Sequence, residues 1–225
     1  MMVLKVLGSG SSGNCYILEN ENEALILDAG VPVIEVKKAL DFNIKKIVGV
    51  CVTHCHKDHD GYSKDFEKMG IPVYRPFVSK TCPRRIENSS FSVNIFENIH
   101  DVICYGFYIK HNDLGTLLYS TDSEYIKYRF KGINHYLIEA NYSYDYVDKT
   151  RANYKHTLQG HQSIETCVKY LEKCQDSKLD NVILCHLSQE NAKSEDFIER
   201  VKKVCKCPCY IAKKGIEINL SVVPF

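Results

Sequence analysis

Apolar positions fall into short runs from the start of this chain. Residues 3–7, 15–19 and 24–27 are apolar stretches of strand length, separated by Gly/Ser or Asn/Glu turns. Pro32 then opens a helix that lines up Val33, Val36, Ala39 and Leu40 on one face. A buried strand over 47–52 follows and runs directly into a cluster of histidines. Ser63 is the expected cap of the next helix, which ends near Gly70, and another strand begins at 72–74. The middle of the chain predicts a meander, with strands over 91–96, 103–110 and 116–119 and a turn at 111–115. A further buried strand spans 133–138. The pattern then alternates: helix 164–173, strand 182–185, helix 195–204, and strands 209–212 and 216–220. Strands crowd the centre and helices recur in both halves, which suggests two facing sheets with helices outside; periodicity alone establishes a mixed α/β class.

Composition narrows the function classes. The 225 residues, with no internal repeat and no Pro/Ser-rich linker, predict one domain over 1–225. A formal net charge of +1, from 29 basic and 28 acidic side chains, gives no general attraction to nucleic acid or anionic membrane, although a local basic groove remains open. No stretch approaches the roughly 18 apolar residues that span a bilayer, and Gly8 interrupts any export-type apolar run. A cytoplasmic protein with no membrane partner is expected. Eleven cysteines, an odd number at irregular spacing, argue against a disulfide framework. Cys51, Cys104, Cys167 and Cys185 lie in apolar runs and are expected to be small buried hydrophobes. The run Cys205, Cys207, Cys209 offers either a buried strand face or a thiolate metal site, the strand face being favoured because no second cysteine pair accompanies it.

The chemistry concentrates in Thr53-His54-Cys55-His56-Lys57-Asp58-His59-Asp60-Gly61. Neutral imidazoles and a carboxylate suit zinc, manganese or iron. Crowding three imidazoles makes each harder to protonate, so a metal is the natural stabiliser.

This H-x-H-x-D-H pattern resembles the signature of the metallo-β-lactamase superfamily, and Leu27-Asp28-Ala29-Gly30 is similar to its usual preamble. Gly8-Ser9-Gly10-Ser11-Ser12-Gly13-Asn14, Glu139-Ala140-Asn141 and the segment from Cys185 to Asn191 resemble the YycJ (WalJ) branch. The resemblance implies a four-layer αβ/βα sandwich with two divalent metal ions at one edge. It also implies the ligands: His54, His56 and His100 on the first ion, Asp58, His59 and His186 on the second, Asp122 bridging, and Asp28 behind them orienting ligands. His111 competes with His100, which is favoured because Asp101 beside it resembles the family's His-Asp pair. His135 and His156 match no motif and are expected to be structural or surface residues, and Cys55 occupies a variable position. His161, in Gln159-Gly160-His161-Gln162-Ser163, resembles a Gly-His-x-Ser element of that branch; tRNase Z and ribonuclease J also bring an extra histidine to the scissile phosphate. It precedes a helix, where free N–H groups favour an anionic oxygen.

Such a site would hold a hydroxide between its two ions, with Asp58 and His161 as catalytic candidates. The ligands alone do not select the bond. The YycJ resemblance implies a phosphodiesterase acting on nucleic acid, as a DNA exonuclease. The alternatives are a phosphodiesterase for a small cyclic nucleotide, as in phage anti-Pycsar nucleases, and a non-catalytic metal-stabilised binding module. The run 8–14 lacks phosphate-loop spacing and is expected to be a tight turn near the site mouth. Tyr142, Tyr144, Tyr146 and Tyr154 fit a base-stacking surface or an amphipathic packing face equally well. Oligomeric state, including a homodimer, is left open.

Overall fold

The computed structural model describes residues 1–148, 150 and 154–222, the side chains of 155–157 excepted. The first half runs β1 (Val3–Gly8), β2 (Cys15–Glu19), β3 (Ala24–Leu27), α1 (Val33–Ala39), β4 (Ile47–Cys51), α2 (Lys57–Asp60), α3 (Ser63–Lys68), β5 (Val73–Tyr74) and α4 (Pro76–Ser79). The meander follows as β6 (Ser92–Asn98), β7 (Cys104–His111) and β8 (Gly115–Ser120), then β9 (His135–Glu139) and α5 (Tyr154–Gly160). The chain closes with α6 (Ile164–Cys174), β10 (Asn181–Cys185), α7 (Ser194–Lys202), β11 (Cys209–Ile211) and β12 (Glu217–Asn219).

Two six-stranded sheets result, in the orders β12-β1-β2-β3-β4-β5 and β11-β10-β9-β8-β7-β6. Side-chain alternation along each strand divides the apolar residues among three cores. In β2, Tyr16 and Leu18 face the opposite sheet, while Cys15 and Ile17 point outward toward Val36 and Leu40 of the α1 region and Phe66 of α3. In β10, Ile183 and Cys185 enter the central core, while Val182 and Leu184 meet Leu171 of α6 and Phe197 of α7. Burial on both faces explains why these strands are apolar without alternation. The layers are helix, sheet, sheet, helix, as the sequence leads one to expect.

Strand direction sets up the site. β3 and β4 run parallel, as do β8, β9 and β10; β6 points the same way as β8 because each is antiparallel to β7. The carboxyl ends of all six strands therefore open at one rim, the place where open α/β sheets bind ligands.

Several local expectations are corrected. Tyr62, not Ser63, holds the cap position of α3; Ser63 is the first helical residue and donates its hydroxyl back to the Asp60 carbonyl at 2.7 Å. The four-residue α2 lies inside the histidine motif and α5 precedes His161, both too short for periodicity to mark. Of the three-cysteine run only Cys209 is in a strand; Cys205 is buried, Cys207 and Cys209 are half-buried, and no candidate metal cluster among the described residues includes them. Cys51, Cys104, Cys167 and Cys185 are buried as expected. Tyr142 is buried with Tyr144 edge-on at 5.5 Å, and Tyr146 lies under the Lys193 ammonium, so packing accounts for most of the tyrosine segment.

Candidate metal centre

Each candidate side chain leaves the end of a strand or the turn just beyond it. Asp28 follows β3, His54 follows β4, His100 follows β6, Asp122 follows β8 and His186 follows β10, while Glu139 is the last residue of β9. α2 then presents Asp58 and His59 from a single turn, with His56 at its cap. Asp28, Asp122 and His186 all have positive φ, at 60°, 48° and 53°. Left-handed backbone is uncommon outside glycine and costs of order 1–3 kcal/mol. Three of the seven non-glycine residues with positive φ among the described residues stand at these strand ends, where the bent backbone aims their side chains into the site.

The side chains converge. The His54 ring lies 4.6 Å from His56, 4.2 Å from His59 and 5.0 Å from His100, measured between centroids. Asp122 Oδ2 is 3.3 Å from His54 Nε2 and 3.0 Å from His59 Nε2, while its Oδ1 is 3.2 Å from His186 Nδ1. Two ligand groups therefore share Asp122: His54, His56 and His100 on one side, Asp58, His59 and His186 on the other, the donor atoms of each group within 4.8 Å of one another. Asp28 lies behind them, its Oδ2 2.7 Å from His59 Nδ1 and accepting the Tyr119 hydroxyl at 2.5 Å, its Oδ1 accepting the Thr53 amide.

The donor set fits divalent cations. His54 Nε2 and His186 Nε2 are buried and have no hydrogen-bond partner, a costly state for a polar atom unless another partner is supplied. The carboxylates of Asp28, Asp58, Asp122 and Glu139 also gather in largely buried surroundings, and protons offset them. Burial opposes charge on His186, but Asp122, Asp58 and Glu139 prevail and raise its pKa to about 10. His59 is likewise raised well above the ordinary imidazole value, Asp122 and Asp28 overcoming burial. His54 goes the other way: burial and its imidazole neighbours push it down to about 2, leaving a neutral ligand. Burial also lowers His100.

Comparison with known proteins points the same way. Residues 8–76 match the metallo-beta-lactamase superfamily. The exodeoxyribonuclease WalJ of Streptococcus pneumoniae is 26% identical, the alignment covering 83% of this chain and 81% of that protein. The exodeoxyribonuclease YycJ of Bacillus anthracis is 26% identical over 95% of this chain and 93% of its own. The metallo-beta-lactamase fold protein YhfI from Bacillus subtilis superposes with a TM-score of 0.72 at 18% identity, covering 96% of this chain and 98% of that one. Over residues 8–76 the chain is similar to the metallo-β-lactamase superfamily, and over most of its length it is similar to these exodeoxyribonucleases.

Within the site the structure brings together His54, His56, Asp58, His59, His100, Asp122 and His186, with His161 beside them and Asp28 behind. His100 is in the cluster, with Nδ1 2.9 Å from the Gly160 carbonyl, whereas His111 is engaged by Glu23 at 3.0 Å and lies in the central core's margin against Phe91. His135 is buried beside Asn181, and the His156 side chain lies outside the described residues. Cys55 is exposed and joins no ligand group. His161 stacks on His186 at 5.1 Å, with Nδ1 2.7 Å from Glu139 Oε1 and 3.7 Å from Asp122 Oδ1.

Two segments that the sequence singled out only by resemblance, without a role, contribute directly. Glu139 is fully buried and accepts from the Ser123 and Gln162 amides while facing His161 and His186. The signal was present, a carboxylate directly after the apolar run Tyr136-Leu137-Ile138, but nothing in the sequence gave it a partner. The Gly8–Asn14 turn is also more than a mouth: Asn14 Nδ2 is 2.9 Å from His59 Nε2, and Ser9 Oγ accepts the His186 amide at 2.9 Å.

Proposed function

We propose that this chain is a hydrolase of the metallo-β-lactamase superfamily, a two-cation phosphodiesterase that cleaves nucleic acid. The observation that carries the reading is the pair of ligand groups sharing Asp122 at one rim, in a chain that resembles exodeoxyribonucleases over most of its length. His54, His56, His100 and Asp122 would hold one cation, and Asp58, His59, His186 and Asp122 the other. Bound divalent cations supply Lewis acidity toward phosphoryl oxygens and make a water nucleophilic near neutral pH. The chain's own groups do the rest. Asp28 orients His59, and Glu139 orients His161 and His186. Burial disfavours a charged His161, but the Glu139 carboxylate raises its pKa above the ordinary imidazole value, so it can carry a proton for the leaving oxygen. His161 also lines a cleft of about 400 Å³ with Ser9, Ser12, Asn141 and Ser188, which offers a diester hydroxyl and amide groups. Eleven free cysteines fit a reducing, cytoplasmic setting, and no helix among the described residues is long and apolar enough to cross a membrane.

The test is hydrolysis of labelled single-stranded DNA, a cyclic mononucleotide panel and bis-p-nitrophenyl phosphate, each with manganese and with zinc. DNA cleavage supports the proposal, and turnover of cyclic nucleotides alone transfers it to a small-substrate enzyme. Silence on all three refutes it in favour of a binding module. Asp58→Ala is expected to lower turnover by about 10³-fold, the several kcal/mol a catalytic metal contributes, with the melting temperature little changed; unaltered turnover removes Asp58 from the site.

A further inference from the structure

Near-neutral net charge conceals a local concentration of cations along the segment that runs away from Asp122 and the face of α6 beside it. Lys127 and Arg129, on the segment that leaves Asp122, and Lys169 and Lys173 of α6 line one cavity of about 260 Å³ with Tyr125 and Thr166. No carboxylate lines it. All four cations are exposed, and among the described residues Arg129, Lys169 and Lys173 have no ion pair; Lys127 reaches only Glu97, at 4.0 Å across an exposed gap. A pair that loose in water contributes little. Glu165 of the same helix is turned away, its Oε1 taken by Arg200 at 2.8 Å and by Ser143 at 2.7 Å.

Such a grouping is unfavourable in itself. Lys169 and Lys173 are four residues apart on one helix face, where like charges repel by a few tenths of a kcal/mol, and Lys127 and Arg129 add two more positive charges opposite them. A cation in the last turn favours the helix dipole, which explains Lys173 alone. The segment is also held in place. Ile126 is buried in the outer core and Phe130 packs against it, Ser123 donates its amide to Glu139 and its hydroxyl to the Tyr125 carbonyl, and the Glu124 amide bonds Ile99, next to His100. Tyr125 is three residues from Asp122, a span of at most about 11 Å, and is 47% exposed.

The geometry points to a groove, formed by Tyr125, Lys127, Arg129, Lys169 and Lys173, that holds the phosphate backbone of a single-stranded nucleic acid whose scissile end lies at the metal centre. The cations take successive phosphates and Tyr125 stacks a base. A cyclic mononucleotide would never reach it. What happens to the bound strand rests on the phosphodiesterase reading; the binding does not.

The experiment is fluorescence anisotropy of a labelled single-stranded oligonucleotide of about a dozen nucleotides, titrated with wild type and with Lys127→Gln/Arg129→Gln/Lys169→Gln/Lys173→Gln across a salt series. Hydrolysis of bis-p-nitrophenyl phosphate is followed alongside. Wild type is expected to bind with a steep salt dependence. The fourfold variant should bind at least about tenfold more weakly near 0.1 M salt, with a log–log slope shallower by about 2–3, since each single-strand phosphate contact contributes about 0.7. Lys169→Gln/Lys173→Gln, confined to exposed helix positions, should give about half that change and guards against misfolding of the larger variant. Equal affinity and slope in variants and wild type overturn the groove, as does a wild type that does not bind the oligonucleotide. Loss of binding in the variants with no diester hydrolysis by any form keeps the groove and sinks the phosphodiesterase reading.

Discussion

Glu139 shows how one residue holds the centre together. Its Oε2 accepts two backbone amides, from Ser123 at 3.0 Å and Gln162 at 3.3 Å, while Oε1 faces His161 and His186. Only a carboxylate can accept at both ends. Glu139→Gln must turn an NH₂ toward either two N–H donors or two imidazoles, leaving buried donors unsatisfied at about 1–3 kcal/mol. Metal affinity or turnover is expected to fall by about 10–100-fold, as for other partners of metal-bound histidines. Titration of metal content together with steady-state rates checks this; full activity with a full complement of metal would show that Glu139 only packs. His161→Ala separates a different role. It should keep its metal, because His54, His56, His59, His100 and His186 remain, and lose about a hundredfold in turnover as expected for a removed general acid. Loss of metal from this variant would instead make His161 a ligand, which its place in a third donor group with Asp122, Glu139 and His186 allows.

At the scale of elements, α6 is the device that places His161. Ser163 caps it, its Oγ accepting the Thr166 amide at 3.1 Å, and the buried Ile164, Cys167, Leu171 and Cys174 fix it on the outer face of the second sheet. Ser163→Ala removes the cap and should cost about 1 kcal/mol, a fall of about 2–4 °C in melting temperature for a chain of this size. Calorimetry checks the fall, and a drop in turnover beyond what His161→Ala causes would mean that the cap also positions Gln162. The same element explains what the sequence made legible. Long apolar periodicities such as that of α6, and the unbroken runs of β4 and β10, are dictated by burial on defined faces, so they could be recognised without coordinates. The His54–His59 cluster was legible because its candidate ligands are neighbours in sequence. Glu139, Asn14 and the Lys127–Lys173 groove were not, because their meaning depends on pairings between segments that only the two-sheet topology creates; α2 and α5 were missed because a turn or two of helix carries too little periodicity. Ser63 misled because its hydroxyl turns back to Asp60.

For the whole molecule, the rim is a charge problem that cations and protons solve in competition. Four carboxylates lie within reach of one another there, and without cations the balance falls to imidazolium at His59 and His186. His186, raised to about 10 from an unfolded value near 6.5, stabilises the cation-free fold fully below about pH 6.5, and that contribution is lost as pH rises toward 10. Cation ligation requires the same imidazoles without their protons, so it strengthens over the interval in which the cation-free fold weakens. Cation-free protein prepared by chelation should therefore lose melting temperature between pH 7 and 9, while protein saturated with zinc or manganese should not, and the difference between them should widen with pH. Calorimetric titration in buffers of different ionisation enthalpy should record about one to two protons released as the site fills, from His59 and His186. A difference that stays constant across pH 7–9, with no proton release, would mean that neither imidazole gives up a proton to a cation. The second ligand group would then be a hydrogen-bonded cluster, and the Asp122 bridge would serve one ion.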